Sequence, residues 1–357
     1  MSDLPEPWTT DWARWRAPAL TTGIIRHQPG DFRVDEVLPY TAEGEGEHLW
    51  LRVEKTGENT DFVGRALARA IGVPPRGVGY AGLKDRHAVT TQWFSVHAPK
   101  DPPADWQSGL PAGVRVLEAT RGRRKIRTGS LSGNRFTLVL RDCQGDAQAL
   151  SGALAALAAH GVPNYFGEQR FGRGRGNLDR AVALFEGRLR EPDRKRRGLY
   201  LSAARSWVFN QVLDRRLREG SWDRLLDGEL LMLDGTHSWF QAPVIDDTLR
   251  RRHAELDVHP TGPLWGAGAL ESTGNVAALE ATVAGEWPGL CAGLEAAGLR
   301  QERRALRLRL ADVEHAWLAA DTLQLAFTLP AGAYATVVLR ELGTLRDAQR
   351  AEGENGL

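Results

Sequence analysis

Apolar and polar positions alternate in short steps along the first 160 residues. Gly23 to Gln28, Phe32 to Leu38 and His48 to Lys55 alternate or cluster apolar side chains in runs broken by Pro-Gly and Gly-Glu-Gly, a pattern that predicts strands. The period then changes: Phe62, Val63, Ala66, Leu67, Ala70 and Ile71 recur at helical spacing behind a capping Asn59 or Thr60. More strands are expected at Gly77 to Tyr80, Gln92 to Val96, Val114 to Ala119 and Arg135 to Leu140, and a helix from Asp146 to His160.

From about Gly161 the character differs. Leu199 to Glu219 reads as a long amphipathic helix, with Leu201, Ala204, Val208, Gln211 and Val212 near one face. Short strands around Leu230 to Phe240, a Pro/Gly-rich stretch from His259 to Leu270 and a helical segment from Trp287 to Ala297 follow. Thr322 to Leu329 is again strand-like, and Ala333 to Leu342 helical. Strands at both ends around a different middle predict an α+β protein. One sheet domain, residues 1–160 plus 309–357, is interrupted by an inserted α/β domain, residues 161–308.

At 357 residues two domains are the expectation, and 42% hydrophobic with 25% charged residues is ordinary globular composition. No apolar run approaches the roughly 18 residues needed to span a bilayer, so no membrane is implied. The opening MSDLPEPWTTDW, acidic and without an apolar stretch, does not read as a secretory leader. Cys143 and Cys291 are far apart, and the nine histidines form no HxH or HxxxH pair, so neither a disulfide, a zinc site nor any other metal is expected; a reducing cytoplasm fits.

The net charge of +1 excludes a uniformly basic nucleic-acid binder. Its cations are unusual in kind, however: lysine occurs at five positions, leaving 41 of 46 basic residues as arginine, whose planar fork suits phosphates and bases. No Gly-Lys dipeptide exists, which rules out a Walker loop, and there is no GxSxG elbow. The glycines of FGRGRGN follow no convincing parallel strand and lead to no suitable acid, which weakens a methyltransferase reading. A non-catalytic RNA-binding module would need the arginines and aromatics but no acid.

The acid that decides between them lies in Gly82 to Gln92, GLKDRHAVTTQ. Asp85 stands between Lys84 and Arg86 in a polar break flanked by apolar strands, which predicts a turn at a sheet edge. Spacing alone also fits a solvated surface turn. With its neighbours, the string resembles the catalytic motif of the TruD family of pseudouridine synthases, which isomerise uridine in tRNA. The resemblance runs from Ile24 to Leu342, is weakest across Trp222 to Glu302, and includes NYFGEQRFG and LSAARSWVFNQ.

The resemblance implies the pseudouridine synthase fold with a mixed or antiparallel sheet, no cofactor, tRNA as partner with uridine 13 as target, and Asp85 as the catalytic aspartate. It also implies substrate-binding roles for Arg26 and Phe32 in GIIRHQPGDFRVDE, Asn134 and Phe136 in SLSGNRFTLVL, and Tyr334 in LPAGAYATVVLREL, where bacterial relatives carry Phe. Arg26 is the expected partner of Asp85. Whether Asp85 attacks carbon or removes a ribose proton stays open. Candidate phosphate contacts are Arg123, Arg124 and Lys125 in RGRRKIR, Arg173 and Arg175 in FGRGRGN, and the run Arg194 to Arg197, each placed between elements. No protein partner is implied, and a monomer is expected.

Overall fold

The computed structural model describes residues 8–16, 19–242 and 244–349. The first seven residues of the N-terminal stretch discussed above lie outside that range. The chain forms two compact units: one comprises Leu20–Leu154, Leu310–Gly332 and the residues from Gly343 onward, the other the residues up to Ala19, Ala155–Arg309 and Ala333–Leu342.

The first unit is a ten-stranded mixed sheet among the described residues. Its main path orders the strands Ala311–Ala319, Thr322–Pro330, Gly133–Gly145, Phe32–Val37, Val89–His97, His48–Thr56 and Val114–Gly122. Most pairs are antiparallel. Phe32–Val37 runs parallel to Val89–His97, and Thr21–Ile25 runs parallel to Gly343–Asp347. The long strand Gly133–Gly145 serves three neighbours, the first half pairing with Phe32–Val37 and Thr322–Pro330 and the last part with Thr21–Ile25.

One sheet face changes character along its length. Leu49, Leu51 and Val53 alternate inward and pack with Phe94 against Val63, Leu67 and Ile71 of the helix Thr60–Ile71. Two residues beyond Val53 the same face carries Lys55, opposite Thr90, and Gln92 stands opposite Val53. Across the parallel pair, Val34 stands beside Thr90; Phe136 pairs with Val34 and Phe327, and Asn134 with Glu36. The apolar core therefore runs out into a polar row near the start of the helix.

In the second unit the helix Arg194–Arg218 is central. It buries Ala203, Ala204, Trp207, Val208, Phe209, Val212 and Leu213, and Trp207 meets Trp8, Trp12 and Trp287 at 5.0–5.4 Å between ring centroids. A sheet of Trp239–Gln241, Leu230–Leu233, Val258–Leu264 and Glu302–Ala305 accompanies it. Two ion pairs are buried in this unit, Arg216–Glu229 at 3.1 Å and Arg303–Glu280 at 2.6 Å.

Three expectations are corrected. Asp193 caps the long helix by accepting from the amides of Lys195 and Arg196, so Arg194 to Arg197 form its first turn instead of a loop between elements. Gly274–Glu286 is a further helix ahead of Pro288–Ala296. The Lys84–Arg86 turn lies at the end of a strand interior to the sheet, not at an edge. In the compact units, the described residues before Leu20 and Ala333–Leu342 group with the middle of the chain. The reason is packing, since Trp12 stacks on Tyr165 at 5.7 Å, the Trp15 amide donates to buried Glu341 at 2.8 Å, and Arg340 donates to the carbonyls of Trp12 and Ala13.

Candidate active site

The polar row fixes the loop that carries Asp85. Gln92 accepts from the Thr60 hydroxyl at 3.0 Å and donates to the Gly82 carbonyl at 3.1 Å, while the Thr60 hydroxyl accepts from the Lys84 amide at 3.0 Å. Below them, the buried Lys55 ammonium donates to three backbone carbonyls: Glu58 at 2.8 Å, Asp85 at 2.9 Å and Lys84 at 3.3 Å. Burial pulls this ammonium down to about 8, against the raising influence of Asp85, with Lys84 lowering it and Glu58 raising it further. Arg86 ties the far side of the loop to Gly57, its Nε donating to that carbonyl at 2.8 Å. Sequence reading passed over Lys55 because a lysine at a strand end ordinarily points to solvent.

Within this frame the Asp85 side chain is 38% exposed and doubly bonded: one oxygen accepts from Arg26 at 2.9 Å, the other from the His87 amide at 3.0 Å. The Arg26 guanidinium is shared. It donates through its other terminal nitrogen to Asp347 at 2.9 Å and lies 4.1 Å from the centroid of Phe32. Arg26 adopts φ +56°, a left-handed conformation uncommon outside glycine, which turns the chain sharply after the first strand. The expected Arg26–Asp85 pair is therefore present. Asp347 was invisible to sequence reading because the parallel pairing of Thr21–Ile25 with Gly343–Asp347 joins residues more than 300 positions apart.

Lys84 turns inward. Its ammonium donates to the Asn134 side-chain oxygen at 2.7 Å and pairs with Glu36 at 3.2 Å, the two charged side chains being 5% and 0% exposed. Asn134 thus reaches the loop through Lys84. Phe136 and Phe32 meet edge to face at 6.2 Å and are both buried, forming a floor of rings beneath Arg26. Beside Asp85 opens a cleft of about 760 Å³, lined by Glu58–Phe62, Arg65 and Leu83–Arg86. Leu83 and Phe62 are exposed in it, the former 72%. Among the described residues no three His, Cys, Asp or Glu side chains converge as a metal cage.

Tyr334 belongs to the second unit, where its hydroxyl accepts from Arg170 at 2.7 Å. Arg123 and Arg124 are exposed yet already paired, Arg123 with Glu45 and Arg124 with Glu43 at 3.6 Å, and Lys125 donates to the Arg76 carbonyl at 2.7 Å. Tyr40, Arg124, Lys125, Arg127 and Ser130 line a second cleft of about 460 Å³. Arg173 and Arg175 form a single 3-10 turn, with Arg175 at φ +61° and donating to Thr10 at 3.0 Å.

A family model described as tRNA pseudouridine synthase D (TruD) matches residues 17–184 and 183–342. A protein named tRNA pseudouridine synthase D from Xanthomonas campestris is 49% identical over 351 residues, covering 94% of this chain and 95% of its own. One of the same name from Hydrogenovibrio crunogenus is 47% identical over 321 residues, covering 90% and 92%. A solved structure carrying the TruD designation, from Methanosarcina mazei, superposes with a TM-score of 0.66 at 21% identity, covering 94% of this chain and 95% of that one, so its fold is shared.

Proposed function

The chain belongs to the TruD family of tRNA pseudouridine synthases, isomerases acting on RNA, and from that membership we propose that it converts uridine 13 of tRNA to pseudouridine with Asp85 as the catalytic carboxylate. The reaction breaks the bond from N1 to C1′, turns the uracil and joins C5 to C1′, with loss of the C5 proton to water and no net redox change. It needs no cofactor. It needs an acid that stays ionised and a surface on which a loose uracil can turn.

The observation that carries this reading is the Asp85 carboxylate itself. It is held by Arg26 and the His87 amide at hydrogen-bond distance and open to the cleft. Charge-assisted bonds of this kind fix the direction of the carboxylate. In this reading Arg26 and Phe32 position the carboxylate, Lys84 and Asn134 brace the loop, and Phe136 completes the apolar floor. Exposed Leu83 and Phe62 offer apolar surface to a flipped nucleotide, whose extrusion costs a few kcal/mol. We assign catalysis to the sheet unit, RNA binding to Arg123, Arg124, Lys125, Arg173 and Arg175, and a substrate contact to Tyr334. The enzyme acts as a monomer in the cytoplasm, where its two buried free cysteines stay reduced.

The test is release of tritium from tRNA labelled at uridine C5. Wild type should release it from tRNA bearing uridine at position 13 and fail when that position is cytidine. Release that is indifferent to position 13 would overturn the target, and none from any uridine-bearing tRNA would overturn the activity.

A further inference from the structure

Among the described residues, no acid pairs with two arginines of the second unit, Arg170 and Arg304. Arg170 and Arg304 flank the Phe166 ring, their guanidinium carbons 5.3 and 4.1 Å from its centroid. Their hydrogen bonds go to neutral oxygens: Arg170 donates to the hydroxyls of Ser202 at 3.0 Å and Tyr334 at 2.7 Å, and Arg304 to the side-chain oxygen of Asn164. The Nε atoms of both are buried without a partner, as is the Thr336 hydroxyl. Thr336 borders Gly167, where a Cβ would stand 3.3 Å from that hydroxyl.

Buried arginines of the same unit are met in more than one way: Arg307 donates to the carbonyls of His253 at 2.8 Å and Val258 at 3.1 Å and to the His259 ring. Arg216 and Arg303 are each matched by a buried glutamate, Glu229 and Glu280. A cation withdrawn from water is costly unless an opposite charge meets it, and two side by side compound the cost. The electrostatics agree: burial holds Arg304 down to about 10, with Tyr334 pulling upward and the like charge of Arg170 pushing further down. Arg170 and Arg304 are each of intermediate burial as residues.

We propose that Arg170 and Arg304 form a binding site for a phosphodiester of the RNA substrate, a role that rests on the tRNA reading above. Planar forks take phosphate oxygens two at a time, and the buried Thr336 hydroxyl and the unpaired Nε atoms supply further donors. The hydroxyl of Tyr334 fixes the Arg170 fork.

The test uses the full chain and reads tRNA binding without turnover, as the slope of log affinity against log KCl concentration, alongside the thermal midpoint in inorganic phosphate against chloride at matched ionic strength. The double variant Arg170→Met, Arg304→Met should bind tRNA at least tenfold more weakly and lower the slope by about 0.7–0.9 for one phosphate lost. Phosphate should raise the midpoint of wild type and not of the variant. Arg304→Lys, which retains charge and so guards against misfolding, should keep the slope but lose affinity, because a point charge cannot fork. An unchanged slope in the double variant, or wild-type affinity in Arg304→Lys, overturns the proposal. Phosphate protection with an unchanged slope would mean a free anion and equally overturn the RNA assignment. A wild type that shows the slope difference but releases no tritium would leave the site standing and sink the activity.

Discussion

The charged groups around Asp85 compensate one another almost completely, whereas those around Arg304 do not. In the sheet unit Asp85 has Arg26, Arg26 has Asp347, and Lys84 has Glu36, so these charges are met by opposite charges from within the chain, while Lys55 and Arg86 are met by backbone carbonyls. In the second unit Arg170 and Arg304 find only hydroxyls and an amide oxygen. An acid that must stay ionised and aimed through a reaction cannot wait for the substrate to supply its counter-charge. A cation meant for a phosphate must leave that place open.

The comparison breaks most visibly if Asp85 is not the group that needs all this support. Asp85→Asn keeps the shape and removes the charge, so tritium release should fall by about 10⁴-fold or more while tRNA affinity stays close to wild type. Equal loss of binding and turnover would place Asp85 in RNA recognition and return the chain to a binding role.

Next in size is the buried pair behind the loop. Lys84→Met leaves the Glu36 side chain without its cation, held by the Trp93 amide at 3.0 Å in a site with no exposure, which should cost about 3–5 kcal/mol of unfolding free energy. A urea midpoint lowered by less than a third of that would mean water or rearrangement rescues Glu36. Adding Glu36→Gln to the same chain should recover much of the loss, since it removes the stranded charge.

Lys55 sharpens the contrast through pH. Its ammonium, ordinarily near 10.5, is pulled down to about 8 by burial. Below pH 8 it is protonated in both folded and unfolded chains. Between about 8 and 10.5 the unfolded chain binds a proton that the folded one does not, so the Lys55 contribution to stability should rise with pH across that window. Activity should move the other way: a neutral amine has two donors for the three carbonyls of Glu58, Lys84 and Asp85, and the loop loosens. The turnover rate should therefore show an alkaline limb near pH 8 that Lys55→Arg moves upward. A limb unmoved in that variant would assign the titration to another group, and urea midpoints of wild type and Lys55→Met at pH 7.5 and 9.5 isolate the stability term.

How much of this was legible in the sequence follows from how local each contact is. Strand alternation and the helical stripe behind Asn59 and Thr60 are local, and the structure has both within a few residues. The Arg26–Asp85 pair was reached through motif resemblance and is present at 2.9 Å. Glu36 and Asp347 were not reached, because only the register of distant strands brings them to Lys84 and Arg26. The polar start of the long helix hid its first turn, since Arg194 to Arg197 carry no apolar stripe and only Asp193 marks the cap. The Arg170 partner of the Tyr334 hydroxyl was likewise out of reach, since the two residues are 164 positions apart.

The smallest effect concerns Arg123 and Arg124, read from sequence as exposed phosphate contacts. They are exposed, at 67% and 68%, but pairing of the strands His48–Thr56 and Val114–Gly122 brings the acidic loop before the first of these beside them, so Glu45 and Glu43 already occupy both guanidinium groups. Exposed pairs of this kind are weak and exchange readily. RNA phosphates can therefore displace the glutamates, but each contact yields less than a free arginine would. Arg123→Gln with Arg124→Gln should lower the salt slope by less than the roughly 1.4–1.8 expected for two phosphates. The converse variant decides the matter: Glu43→Gln with Glu45→Gln releases both arginines and should strengthen tRNA binding by about threefold at low salt, an advantage that fades as salt screens it. If the glutamate variant binds no better while the arginine variant binds worse, the glutamates do not compete, and this cluster joins Arg170 and Arg304 as cations reserved for the substrate.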